Sequence, residues 1–196
     1  MQPLPRSFYD RNALKVAPAL LGCVLARRMG DGYVLGRIVE TEAYVGEHDL
    51  ACHARAGRTA RTDVMYGDPG HAYVYLIYGI HQMLNFVCGP GSDANAVLIR
   101  AVEPVPDSLP WLHPTARGPG NLCKAFGVKA VHNRADLCDA SGDLIVLPRL
   151  GRPRIVRGPR IGVEYAGKWA AEPLRFCDLK SDHLSRPPLR DRKSVV

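Results

Sequence analysis

Glycine and proline interrupt this chain at short intervals: 19 Gly and 16 Pro are spread over 196 residues with no repeat period and no long linker. Such punctuation leaves little room for long helices and favours many short strands joined by tight turns. The expected fold is α+β, a mixed α/β chain with few, short helices. Its 46% hydrophobic and 23% charged residues supply enough apolar side chains for one buried core and exclude disorder over the whole length. The longest apolar stretch, Ala17 to Ala26, is broken by Pro18 and ends at Arg27-Arg28. It is too short to cross a bilayer, so a soluble, cytoplasmic protein without a membrane partner is expected.

Asn12 to Leu21 reads as an amphipathic helix with Asp10 as its cap and Gly22 as its stop. Cys23–Met29 and Tyr33–Gly46 flank Gly30-Asp31-Gly32, a strong hairpin signal. A short helix is expected near Thr62 to Tyr66. The most β-prone segment, His71 to Tyr78, precedes Gly79 and the run Met83–Val87, which predicts a second hairpin with its tip at Tyr78 to His81. Ala96–Val102 reads as a strand interrupted by Arg100, and Gly118-Pro119-Gly120-Asn121 as a turn and cap before a helix over Leu122 to Phe126. Later strands are expected at Leu144–Leu147, Arg160–Tyr165 and Leu174–Cys177. Residues 1–184 form the single domain of this reading, and 185–196 a basic tail that stays disordered.

With 26 Lys and Arg against 19 Asp and Glu, the net charge is +7. Such an excess points to an anionic partner, nucleic acid first, because phosphate contacts release condensed counterions. Part of it lies in the tail, where Arg186, Arg190, Arg192 and Lys193 stand against Asp191. Six scattered cysteines, with no Cys-x-x-Cys pair, argue for buried reduced thiols and against a structural zinc; no metal and no organic cofactor are expected.

In Arg37-Ile-Val-Glu-Thr-Glu-Ala-Tyr44, strand alternation puts Ile38, Glu40, Glu42 and Tyr44 on one face and Val39, Thr41, Ala43 and Val45 on the other, toward the core. Glutamates two apart lie roughly 7 Å from each other, close enough to interact if the face is enclosed, and one could serve as a general base. The plain alternative is a solvated face whose charges pair with Arg37 and its neighbours. Tyr44, the tyrosines at 73, 75 and 78, and the basic run His53 to Arg61 add stacking surfaces and phosphate contacts, a set suited to an enzyme acting on a base. Tyr78, beside Gly79 at a hairpin tip, could wedge between base steps or fold back onto its own hairpin.

Five segments, Gly36–Gly46, Gly70–Gly79, Ala96–Pro104, Gly118–Gly127 and Arg160–Val163, occur in the order found in the alkylpurine (3-methyladenine) DNA glycosylases of the vertebrate AAG or MPG type, which the chain resembles from about Ser7 to Asp178. The resemblance implies a curved antiparallel sheet with a protruding, DNA-intercalating β-hairpin. It also implies a monofunctional glycosylase of base excision repair that flips 3-methyladenine, 7-methylguanine, hypoxanthine or ethenoadenine out of double-stranded DNA and hydrolyses the N-glycosidic bond, leaving an abasic site. Glu42 would activate the water, with Arg100 and the main-chain carbonyl of Ile161 holding it. Tyr44 and Tyr75 would stack on the base, with His53 beside them. Tyr78 would fill the vacated space, and Asn85 would disfavour guanine by obstructing its exocyclic amino group. Glu40 receives no role. The protein would act as a monomer, associated with the nucleoid through DNA. The alternative is a damaged-DNA binder on the same fold without catalysis.

Overall fold

A computed structural model describes residues 1–186; positions 187–196, most of the expected tail, lie outside the described residues. The turn at Gly30-Asp31 joins β1 (Val24–Met29) to β2 (Gly32–Val45), as its Gly-Asp-Gly signal requires. β2 is the spine of the molecule. One edge pairs along most of its length with β5 (Asn95–Pro104). The other edge is divided: residues 32–37 bond β1, and Glu40 to Glu42 bond β8 (Arg175–Asp178). Outward from β5 lie β4 (His81–Cys88) and β3 (Ala72–Ile77), which form the second expected hairpin. β6 (Leu144–Leu147) flanks β1, and β7 (Ile155–Gly158) flanks β8. Every named pairing is antiparallel, and this curled eight-stranded sheet with a few short helices is the α+β fold expected.

Three helices pack on one face: α1 (Arg6–Tyr9), α2 (Ala13–Leu20) and α3 (Pro119–Ala125). Between them and the sheet lies the main core, which includes Tyr9, Leu20, Leu25, Ile38, Phe86 and Ile99. Burying a side chain of this size contributes about 1.5–3 kcal/mol, so this layer sets the attitude of the sheet. The cap of α2 is Asn12 rather than Asp10: the Asn12 side chain accepts from the Leu14 N–H at 2.9 Å, while Asp10 closes the turn of α1. Thr41 donates its hydroxyl to the Ala17 carbonyl at 2.9 Å and ties α2 to the middle of β2. Gly118, not Asn121, stands before α3, and Asn121 lies within that helix, donating to the Arg117 carbonyl.

Two further sequence expectations are corrected. Residues 160–165 do not form a strand; the strand is β7, and the chain then runs irregularly through Gly162 (φ +75°) into a 3-10 turn over Glu164–Ala170. The alternation assigned to β2 also fails at one place. Between Ile38 and Glu40 the pairing with β5 slips, leaving Val39 without a partner, and Arg100 is left out in turn between Ala101 and Ile99. The two irregularities cancel, so register holds on either side, but locally two successive residues on each strand share a face. Ile38 therefore joins the main core with Ala43 and Val45, while Val39 moves to the opposite face, where it packs with Ala101, Cys177 and Leu184.

Candidate active site

The bulged segment of β2 points Glu40 and Glu42 to the face of the sheet away from the helices, where neither carboxylate reaches solvent. The solvated-face alternative is thereby excluded, and Arg37 is engaged elsewhere, with Glu103 at 2.5 Å and Asp178 at 2.8 Å. The Arg37 guanidinium and two backbone N–H groups hold the Asp178 carboxyl below its usual range despite its burial.

Glu42 is held from three sides. Its Oε1 accepts from the Ile161 N–H at 2.8 Å and lies 3.2 Å from Nη1 of Arg100. Its Oε2 accepts from the Tyr44 hydroxyl at 3.0 Å. Glu40 takes Arg100 Nε at 3.1 Å and Arg175 Nε at 2.7 Å on Oε1, together with the Ser185 hydroxyl at 2.8 Å, and the Ser185 N–H at 2.6 Å on Oε2. Arg100 lies between the two carboxylates, so the enclosed face carries compensated rather than opposed charges.

Above this network opens a cavity of about 230 Å³. That is below the roughly 300–1,000 Å³ of pockets for drug-sized ligands and suits one flat heterocycle. Arg100 and Ile161, the groups that hold Glu42, line it together with Tyr44, His53, Tyr75 and Asn85. The cavity thus brings together the residues the sequence singles out, with Glu42 buried directly behind the lining. The His53 ring meets Tyr75 nearly edge-on at 4.5 Å between centroids, and its Nδ1 lies 2.9 Å from the Tyr73 hydroxyl. Burial, aided by Arg61 and Arg55, lowers the His53 pKa from 6.5 to about 4, so the ring is neutral near pH 7. Burial likewise pushes the Tyr44 and Tyr75 phenols well up, which keeps both as hydrogen-bond donors. The Asn85 amide donates to the Tyr73 carbonyl at 3.1 Å, fixing the side chain in the wall.

Tyr78 sits in the turn between β3 and β4, 85% exposed and in the left-handed region at φ +53°, and it also borders the cavity. A bulky residue rarely occupies that region, and such strain gathers where a side chain must be presented outward.

Other members of the site were not singled out in the sequence for it. The Arg160 guanidinium stands 4.7 Å over the Tyr44 ring and is clamped by Asp49 through contacts of 2.5 and 2.8 Å. Tyr165 lines the mouth of the cavity beneath the Arg55 guanidinium, and Arg61 lies 5.0 Å over Tyr75. Arg175 and Ser185 are also new. Only aromatic content marks Tyr165 in the sequence, and nothing local marks Arg160, Arg175 or Ser185, whose carboxylate partners lie more than a hundred residues away. Ser185 opens the stretch assigned to the tail, yet it is bonded to β2. Among the described residues, no cluster of three or more His, Cys, Asp or Glu could hold a metal ion.

A family model described as methylpurine-DNA glycosylase (MPG) matches residues 7–182. A protein of Myxococcus xanthus, assigned by name as a 3-methyladenine DNA glycosylase, is 52% identical over 98% of this chain and 98% of its own length. One from Methanocella arvoryzae with the same assignment is 50% identical over 95% and 97%, and one from Legionella pneumophila (strain Lens) 43% identical over 95% and 100%.

Proposed function

The chain belongs to the methylpurine-DNA glycosylase family, and on that premise we propose that this DNA N-glycosylase flips damaged purines from duplex DNA into the cavity and hydrolyses their glycosidic bond with a water activated by Glu42. The substrates are 3-methyladenine and 7-methylguanine, with hypoxanthine and ethenoadenine as neutral lesions.

One observation carries this reading: a fully buried carboxylate is fixed at the floor of a base-sized, tyrosine-walled cavity by a backbone N–H and an arginine. Oε1 of Glu42 is spent on Ile161 and Arg100. Oε2 accepts only the Tyr44 hydroxyl among the described residues, which leaves a lone pair for the proton of a water. As the water oxygen bonds to the anomeric carbon, its proton passes to Glu42. The electron pair of the breaking C–N bond goes to the purine, which in an N3- or N7-alkylated base cancels an existing positive charge. One carboxylate near an oxocarbenium-like sugar suffices for such a leaving group.

Tyr44 and Tyr75 stack on the flipped base, with neutral His53 beside them. Asn85, held by the Tyr73 carbonyl, disfavours normal guanine at its exocyclic amino group, a penalty that the already cationic, readily leaving 7-methylguanine tolerates. Tyr78 occupies the gap left in the duplex, where its strained, outward position spares the fold a rearrangement on binding.

Single-turnover excision from duplexes containing hypoxanthine or ethenoadenine, and from methylated DNA, tests the assignment. Glu42→Gln keeps the shape but takes no proton, so release should fall by about 10²–10⁴-fold with DNA affinity retained. Wild-type turnover in that variant, or no release from any substrate by the wild type, overturns the reading.

A further inference from the structure

The role of Glu40 follows from what the double bulge creates. Val39 and Ala101, the residues turned out of alternation, form an apolar patch beside Glu40 that Leu184 covers. The next residue, Ser185, then makes three contacts across the site: its N–H and hydroxyl both donate to Glu40, and its hydroxyl oxygen accepts from Arg100 Nη2 at 3.3 Å. Each of the three Arg100 nitrogens thus has a different partner: Glu40 for Nε, Glu42 for Nη1 and Ser185 for Nη2.

We propose that Glu40 and Ser185 are positioning residues that clasp Arg100 from behind, so that the segment following β8 fixes the guanidinium on Glu42. The inference rests on the catalytic reading of Glu42. A guanidinium is planar, so two partners at its far corners set the direction of the third N–H. Without Ser185, the Nε contact alone leaves the plane free to turn, and Arg100 no longer orients Oε1 of Glu42. Arg175, on the same oxygen of Glu40, holds that carboxylate in place while it bears on Arg100. Neither Glu40 nor Ser185 lines the cavity, so the clasp acts on the reaction and not on how DNA is held.

Ser185→Ala is the main test, because Ser185 is only half-buried and the change leaves its N–H on Glu40. The expected result, in single-turnover assays at saturating protein with a hypoxanthine duplex, is a fall of about 10–100-fold in excision rate with the Kd for the same duplex unchanged. Ser185→Thr, which keeps the hydroxyl, restores the rate. Glu40→Gln, with one amide hydrogen facing the Ser185 N–H, gives at least as large a fall. A Ser185→Ala rate equal to wild type overturns the clasp, as does a loss in Kd rather than in rate, or a loss that Ser185→Thr does not rescue. Glu42→Gln in the same assay separates the two readings. Wild-type turnover there sinks the catalytic assignment, whereas its loss beside a fully active Ser185→Ala sinks the clasp alone.

Discussion

Arg160 and Asp49 pair their charges with no exposed side-chain surface on either partner, behind the wall that Tyr44 presents to the cavity. Removing one member leaves the other charge buried and unmatched, so Arg160→Ala should destabilise the fold by about 3–5 kcal/mol, read as a lower denaturant midpoint. His53 makes a different prediction. Its pKa falls from 6.5 to about 4 on folding, so between those values the unfolded chain binds a proton that the native protein refuses. Stability therefore declines as pH drops through that window, and His53→Gln should flatten the decline in a Tm-against-pH series. Because the ring is already neutral above pH ~5, any acid limb of excision above that value should stay in place in the same variant. Part of the site could be read from residue types alone: the Glu40 and Glu42 pair, Tyr44, His53 and Tyr75 stand out locally, whereas the choice of Glu42 and the place of Asn85 came from the family resemblance; the fold gathers Tyr44, His53, Tyr75 and Asn85 around one cavity with Glu42 behind it. The partners of Glu40 could not, because hydrogen bonds spanning 135 and 145 residues leave no trace in spacing.

The β3–β4 hairpin presents Tyr78 at its tip in a backbone conformation that costs an L-residue roughly 1–2 kcal/mol. Tyr78→Gly should therefore raise the melting temperature slightly while lowering excision from duplex DNA; an unchanged excision rate would remove the tyrosine from DNA engagement. At the far end of β2 the chain turns at Gly46 (φ +81°), where an added Cβ would sit 2.4 Å from the Asp93 carbonyl oxygen. Gly46→Ala should cost about 1–3 kcal/mol, measurable by thermal unfolding, because a backbone atom cannot swing aside. Both hairpins were legible because their turn residues and alternating runs are local signals. The double bulge was not, since a period-two pattern continues across residues 38 to 45 with nothing to show that one residue is out of step. Arg160–Tyr165 misled for the opposite reason: Ile161, Val163 and Tyr165 alternate like strand residues, but two of the three are lining a cavity wall around Gly162 and the third its mouth.

For the molecule as a whole, a net charge of +7 makes encounter with DNA an electrostatic event, while the carboxylate proposed to activate water lies where salt does not reach. Affinity for undamaged duplex should fall with salt at a log–log slope of about −0.9 per phosphate neutralised, and the single-turnover rate at saturating protein should hardly change. A rate that falls in parallel would mean that the charges act on the chemical step as well. The divided edge of β2 has a consequence in time. One half of it is taken by β1, its neighbour in sequence, and the other half waits for β8. On the ribosome, the sheet from β1 to β5 has emerged well before Ile161, Arg175 and Ser185, so a half-made chain carries Glu40, Glu42 and Arg100 without the later partners that complete their hydrogen bonding. Until its closing strand arrives, the nascent chain holds two carboxylates whose hydrogen bonding is unfinished.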